Sequence, residues 1–333
     1  MLKLTVLCGE YESVRALRER TVKPKGIELE FVSFPGVKDI HDRVARGEGA
    51  DINEYNGGAY VMAKSRGATF TSLPVFLHRR FRHGFIFVNV KSGIEKPSDL
   101  IGRTMGSLNY TSAAEFWMRG LLEDDYGVKP SDMNWVIKEE PEIPFKPIAG
   151  LRMTKAPAGK HPWQMFLKGE IDAYMTPQLF PEVINKDTRI RRLFVDNKAT
   201  ERAYYERTGI FPIMHVTTIK RELVKKEPWV VASLTQAFED AKRLAYQRVA
   251  NPRIVPIAWW TEHWEEQQAL LGPDPWEYGL GERNLKNYGM LVEYANRQGL
   301  TEKKMKLKDL FPKEAFELKL PLKVKYKPAV GTY

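Results

Sequence analysis

The residues best suited to chemistry in this sequence stand side by side, as Arg82 and His83, at the start of an alternating apolar segment. A guanidinium presents a planar fork of donors that can bind a carboxylate, and an imidazole can transfer a proton near neutral pH. Arg79 lies just upstream, and Phe81 and Phe85 interrupt the basic segment with apolar side chains. We therefore predict a site for an anionic small molecule, with a solvated basic loop entering a strand as the alternative.

The first third of the chain alternates strand-like with helix-like patterns, which predicts an α/β fold with a parallel sheet. Ligands of such sheets bind beyond the carboxyl ends of the strands. Polar side chains follow two of the predicted strands: Glu10, Tyr11, Glu54 and Tyr55. We predict that these four side chains lie near a ligand.

Polar residues also follow two predicted strands in the middle of the chain. A helix predicted over residues 113–122 is preceded by a turn that offers N-cap side chains: Asn109, Tyr110, Thr111 and Ser112. Helix N-termini receive anions, although every capped helix has this pattern. Thr176 ends a strand predicted over residues 171–175. We predict that these residues contact the ligand.

His215 is a second candidate for proton transfer, on a strand predicted over residues 210–216. Its neighbours are Met214 and Val216, so a hydrogen-bonded core histidine is the alternative. We expect three other histidines to be ordinary surface or packing residues: His41, His161 and His263.

A metal site is a weaker alternative. His78 and His83 could join Glu54 around an ion, but no H-E-x-x-H or comparable spacing occurs. Cys8 is the single cysteine, which excludes an internal disulfide and a site with several cysteine ligands. We therefore expect no metal.

The length of 333 residues predicts two domains, because single hydrophobic cores stop growing below this size. Lysine and arginine number 52 against 42 acidic residues, a formal charge of +10. We see no zinc-finger spacing, RNA-binding signature or basic helix, so we expect no nucleic-acid partner. A weakly basic field would instead attract a small dianion. Part of the lysine excess lies in an edge strand predicted over residues 319–325.

No segment approaches the length of a membrane span, so we expect no membrane partner. The first residues lack a secretory pattern, and we expect a cytoplasmic protein. The sequence does not decide whether the chain forms a homo-oligomer.

The order of the strand and helix patterns predicts a discontinuous first domain, residues 1–88 and 211–333, to which the C-terminal helices return. Residues 89–210 would form the second domain. We predict that two strands join the domains, near residues 85–90 and 208–216, and that residues 139–161 form a loop or lid.

Several segments together resemble the 4,5-dihydroxyphthalate decarboxylase family. They keep their order over nearly the whole chain: 9–11, 79–83, 96–106, 118–120, 126–130, 169–173, 208–215, 274–279, 298–300 and 310–311. The more specific ones are Phe81-Arg82-His83 and Gly209-Ile210-Phe211-Pro212-Ile213-Met214-His215. The turn at residues 107–112 and the residues after Glu54 depart from the family pattern, as does His78.

The resemblance implies a two-domain fold like that of periplasmic binding proteins of type II, with an interdomain cleft. It also implies a carboxy-lyase that decarboxylates a hydroxylated aromatic acid without an organic cofactor. With 4,5-dihydroxyphthalate as the substrate, the product would be protocatechuate. In this reading Arg82 binds a carboxylate, His83 or His215 transfers the proton, and Glu10 or Glu54 accepts the phenolic proton. The alternatives are a non-catalytic binding protein for an aromatic carboxylate and a different enzyme on the same scaffold.

Overall fold

The structure, a computed structural model, describes residues 1–141 and 143–319. The strands of this part of the chain are β1 (Leu2–Leu7), β2 (Ile27–Val32), β3 (Ile52–Asn56), β4 (Phe70–Arg79), β5 (Ile86–Asn89), β6 (Thr104–Ser107), β7 (Asn134–Ile137), β8 (Arg152–Lys155), β9 (Ala173–Met175), β10 (Ile190–Arg192) and β11 (Ile213–Lys220). Its α-helices are α1 (Glu12–Arg18), α2 (Val37–Ala45), α3 (Gly57–Ser65), α4 (Ala113–Tyr126), α5 (Pro162–Lys168), α6 (Pro181–Ile184), α7 (Asn197–Thr208), α8 (Arg221–Lys226), α9 (Val230–Val249), α10 (Trp260–Leu271), α11 (Glu282–Arg297), α12 (Leu307–Leu310) and α13 (Lys313–Phe316).

Of the edge strand predicted over residues 319–325, only residue 319 is among the described residues. Residues 320–333, the end of the predicted first domain, also lie outside them. Across the described ranges, no helix combines the length and the apolar character needed to cross a membrane.

The first sheet has the strand order β2-β1-β3-β11-β4. β1 runs parallel to β2 and β3, with Val6 opposite Ile52, as the alternation of strands and helices predicts. β11 comes from much later in the chain and inserts antiparallel between β3 and β4. This pairing sets His215 opposite Asn56 on one side and His78 on the other. The α/β prediction is confirmed, with a mixed rather than a purely parallel sheet.

The second sheet has the strand order β10-β5-β9-β6-β7-β8. Its centre is parallel, from β9 through β6 and β7 to β8, and β5 and β10 add an antiparallel edge. β8 lies inside residues 139–161, which we predicted to be a loop, so that prediction is wrong for residues 152–155. The strand has three of its four residues polar and is mostly exposed, and it therefore lacks the apolar alternation that identifies a strand in a sequence.

The chain passes from the first sheet to the second between the end of β4 at Arg79 and the start of β5 at Ile86. It returns between the end of α7 at Thr208 and the start of β11 at Ile213. Since β5 pairs with β9 and β10, residues 86–88 lie in the second sheet, which places the first crossing before the predicted boundary at residue 88.

The helices after β11 pack on the first sheet and its helices. α9 lies against α1 and buries Leu234 and Phe238 there. Near the end of the described chain, the hydroxyl of Tyr60 on α3 donates a hydrogen bond to the carbonyl of Leu310. The C-terminal third therefore adds to the core around the first sheet.

Helix α4 connects the two halves, because it follows β6 of the second sheet and packs against α3 and α11 beside the first. The indole of Trp117 donates to the carbonyl of Ile213 at 2.9 Å. Gly120 lies directly under the ring of Tyr294 on α11, whose hydroxyl donates to Asp124 at 2.8 Å. A glycine at this position permits the close approach of the two helices.

We expect Gly120→Ala to lower the free energy of unfolding by about 1–3 kcal/mol, because a Cβ there would overlap the Tyr294 ring and overpack the contact. Gly289→Ala on α11 is the matched control, since a Cβ at that position meets no atom within 4 Å. This control should stabilise by about 0.5–1 kcal/mol through helix propensity. Urea denaturation of both variants measures the difference, and equal stabilisation by both would contradict the tight packing of α4 on α11.

Candidate functional site

A cavity of about 350 Å³ lies between the two sheets, with walls from both halves of the chain. The first half contributes α2, the end of β3, β4 and the start of β11, and the second contributes the turn before α4 and the residues after β9. The polar side chains on the wall are those of Lys38, His41, Asn56, His78, Arg82, Asn109, Thr111, Ser112, Glu115, Gln178 and His215.

The carboxylate of Glu54, on β3, lies next to this cavity with its side chain fully buried. It accepts hydrogen bonds from the backbone N–H of Gly9 at 2.8 Å and from the hydroxyl of Tyr11 at 2.6 Å. Its third partner is Nδ1 of His215, at 2.5 Å from Oε1. A buried carboxylate requires such partners, because an unpaired charge away from water is costly. The contacts also fix the orientation of the His215 ring.

His215 contributes to the cavity wall, with 15% of its side chain exposed. The rings of His41 on α2 and His78 on β4 lie edge-on to it, each with a centroid distance of 4.7 Å. Burial lowers the pKa of His215 below its usual range, and the charge of Arg82 acts in the same direction. The imidazole is therefore neutral at neutral pH and, with Nδ1 bound to Glu54, it presents Nε2 as a proton acceptor.

His41 and His78 are also neutral. Burial, with a smaller contribution from His215, lowers the pKa of His41 to about 3 and that of His78 to about 2. Nε2 of His41 and Nδ1 of His78 are buried and make no hydrogen bond to the described residues. The expectation that His41 is an ordinary packing residue is wrong in that it lies on the cavity wall. The position of His41 on a short amphipathic helix does not indicate a site residue in the sequence. His78, in contrast, is visible in the sequence as a departure from the family pattern.

Arg82 lies in the crossing between β4 and β5 and is only 2% exposed. Its hydrogen bonds go to uncharged acceptors, from Nε to the sulfur of Met214 at 3.0 Å and from Nη1 to the carbonyl of Pro177 at 2.9 Å. Burial, with a smaller contribution from Arg80, lowers its pKa to about 9, so the group stays charged at neutral pH. A buried guanidinium on a cavity wall, bound only to neutral acceptors, favours an anion in that cavity.

The opposite wall is the turn before α4. The side-chain oxygen of Asn109 accepts from the backbone N–H of Thr111 at 2.9 Å and from its hydroxyl at 2.8 Å. Ser112 caps α4 by accepting from the N–H of Glu115. Asn56, at the end of β3, accepts from the N–H of Ala113 at 3.0 Å and so connects the two walls.

Three predicted site residues with titratable side chains lie away from the cavity. The ring of His83 packs between Phe194 and Tyr204, and neither of its nitrogens has a hydrogen-bond partner among the described residues. Burial lowers its pKa to about 4. Glu10 is exposed and accepts from the hydroxyl of Ser33 at 3.1 Å. His83 and Glu10 therefore lie where neither can contact a ligand in the cavity directly.

Arg79 is likewise structural. It is 2% exposed and donates to the carbonyls of Phe211 and Glu277 at 3.1 and 3.0 Å, and to the side chain of Asn284. These bonds connect β4 with the segment before β11 and with α11. The predicted contact of Arg79 with a ligand is therefore corrected to a role in holding these elements together.

Three further predicted residues are buried behind the wall. Tyr55 lies in the core with its ring edge-on to His41, and Tyr110 stacks on Phe145. The hydroxyl of Thr176 donates to the carbonyl of Gln178 at 3.0 Å and so shapes the loop that reaches the cavity. Tyr11 contacts the site through Glu54. The structure thus brings together Glu54, His215, Arg82, Tyr11 and the turn at residues 109–112 without Tyr110.

Solved structures similar to this one include two sulfonate-binding proteins. The alkanesulfonate-binding protein SsuA from Xanthomonas axonopodis pv. citri aligns with a TM-score of 0.54 and 14% identity, over 91% of this chain and 94% of that one. The aliphatic sulphonate binding protein SsuA from Escherichia coli aligns with a TM-score of 0.53 and 16% identity, over 95% and 99%. These matches confirm the predicted two-domain, type II-like fold.

Sequence comparison identifies the relatives. A family model described as NMT1/THI5 like matches residues 23–144. A protein named 4,5-dihydroxyphthalate decarboxylase, from Comamonas testosteroni, is 29% identical over 326 residues, which are 95% of this chain and 98% of the relative. A second protein of that name, from Pseudomonas putida, is 31% identical over 184 residues, 53% of this chain and 71% of the relative. The order and spread of these matches show that the chain belongs to the 4,5-dihydroxyphthalate decarboxylase family.

Proposed function

We propose that this protein is a carboxy-lyase that removes CO2 from a hydroxylated aromatic dicarboxylic acid, with 4,5-dihydroxyphthalate as the first substrate to test and protocatechuate as its product. The observation that carries the proposal is that the buried Arg82 guanidinium and the His215 ring lie on the wall of one cavity, with His215 hydrogen-bonded to Glu54 behind it. The names of the two relatives support the choice of substrate. The cavity of about 350 Å³ suits a single small aromatic ring.

The chemistry needs a carboxylate site and a group that handles the hydroxyl proton. We assign the carboxylate to Arg82 and the proton to Nε2 of His215, with Glu54 stabilising the imidazolium that forms. Loss of the hydroxyl proton makes the para carbon, which carries the carboxylate, rich in electrons. That carbon takes up a proton supplied by solvent water, the bond to the carboxylate breaks to release CO2, and its electron pair restores the aromatic phenolate. His215 then returns the hydroxyl proton.

The atoms balance with one proton consumed at carbon for each CO2 released. The ring itself accepts the electrons, so we propose that no organic cofactor takes part. A binding protein would need Arg82 but has no use for a buried carboxylate that orients an imidazole towards its ligand. The Glu54–His215 pair therefore favours an enzyme over the non-catalytic alternative.

The purified protein should release CO2 from 4,5-dihydroxyphthalate and form protocatechuate in equal amounts. Release of ¹³CO2 from carboxyl-labelled substrate measures the first product, and chromatography measures the second. The related acid that lacks both hydroxyls should bind without turnover, because it has no proton to give to His215 and no electron release at the para position. Binding of both acids without release of CO2 from either would instead identify a binding protein.

Arg82→Lys keeps the charge but loses the planar fork, and Arg82→Ala loses both. We expect kcat/KM to fall by roughly tenfold to a hundredfold for Arg82→Ala, with Arg82→Lys between it and the wild type, mainly through KM. Arg80→Lys is the matched control, because Arg80 is exposed and lies outside the cavity wall. Circular dichroism checks folding of each variant. An unchanged KM in both Arg82 variants would remove this residue from the carboxylate site.

His215→Asn keeps a hydrogen-bonding side chain but cannot accept a proton near neutral pH. We expect kcat to fall by on the order of a hundredfold to ten-thousandfold, with a much smaller change in KM. His83→Asn should leave kcat close to that of the wild type, because His83 packs behind the wall. Single-turnover kinetics on folded variants separates the two residues, and the reverse result would restore proton transfer to His83.

A further inference from the structure

Three side chains on the first half of the cavity could hold a metal ion together. His41 of α2, Glu54 of β3 and His215 of β11 each offer one ligand atom, and these atoms all lie within 4.8 Å of one another. Nε2 of His41 is buried and makes no hydrogen bond to the described residues, so this polar atom lacks any compensation for its lost hydration. His41 thus brings an imidazole with an unbonded ring nitrogen to the same cluster as a carboxylate and a second imidazole, and this combination points to a ligand.

The donor set fits a zinc-class cation. Two imidazole nitrogens and one carboxylate oxygen are ligands that Zn²⁺ takes at about 2.0–2.2 Å, with a fourth position left for water. Around a tetrahedral ion such atoms lie about 3.4 Å apart. Binding would therefore move Nδ1 of His215 away from Oε1 of Glu54, which now lies at 2.5 Å. Outer contacts are also in place, because the N–H of Gly9 and the hydroxyl of Tyr11 hold Glu54.

We propose that His41, Glu54 and His215 form a binding site for one divalent cation of the zinc class, and that the bound cation inhibits the enzyme. At present Nδ1 of His215 donates to Glu54. A cation between these two groups binds Nδ1, so the single ring proton of the neutral imidazole moves from Nδ1 to Nε2. Nε2 is then a donor and cannot accept the hydroxyl proton. The inhibitory part of this inference rests on the proposed function, whereas cation binding does not.

Binding is tested on the full chain after removal of metals with a chelator. Co²⁺ serves as the probe, because its ligand-field absorption in the visible range reports coordination by nitrogen and oxygen. We expect one Co²⁺ per chain, displaced by Zn²⁺, and a loss of affinity on the order of a hundredfold or more in His41→Ala. His263→Ala is the matched control, since His263 is exposed on α10 and lies outside the cavity wall.

His41→Gln, checked by circular dichroism, gives a second variant should the alanine fail to fold. Equal Co²⁺ affinity in the wild type and in folded His41 and Glu54→Gln variants would overturn the site, as would the absence of any bound Co²⁺.

Inhibition is tested separately, with enzyme loaded with Zn²⁺ and freed of excess ion by gel filtration, because a catechol substrate binds zinc itself. We expect the loaded enzyme to lose most of its decarboxylase activity and to regain it with the chelator. Activity that rises on loading would overturn the inhibitory assignment. Co²⁺ binding by a protein that shows no decarboxylation with or without metal would support the site while contradicting the proposed function.

Discussion

The insertion of β11 between β3 and β4 is the constraint on which the site depends. It places His215 beside Asn56 and His78, residues that lie more than a hundred positions away in the sequence. The same register brings Nδ1 of His215 to within 2.5 Å of Glu54. The pairing has irregular register at its start, around residues 213–217, where the strand passes the cavity. A bulge of this kind redirects side chains locally, and here it accompanies the crowding of three histidines at one place.

Local patterns were enough to find the elements of the first half. The alternation of strands and helices predicted for the first third of the chain appears as β1, α1, β2 and α2, because apolar periodicity there matches the burial of one face. The same patterns placed Glu54 at a strand end next to a ligand site. They could not show that the partner of Glu54 would be His215, since a long-range antiparallel pairing leaves no spacing signal in either strand.

Arg82 and His83 show the limit of arguments from adjacency. The sequence presents them as one unit, yet Arg82 faces the cavity and His83 packs against Phe194 and Tyr204 on the other side. The reason is local geometry, because residues 83–85 form a single 3₁₀ turn and not a continuation of the strand. Successive residues on a tight turn point in different directions, so only one of the two can reach the ligand.

The cavity wall is costly to fold without a ligand. His41 and His78 each hold a polar atom there that is buried and makes no hydrogen bond to the described residues, and each such atom costs about 1–3 kcal/mol in lost hydration. Arg82 adds a buried cation whose hydrogen bonds go only to neutral groups. The apolar cores around the two sheets offset this cost. An anion that neutralises Arg82 therefore stabilises the folded chain as well as occupying the site, because it supplies the charge that the wall lacks.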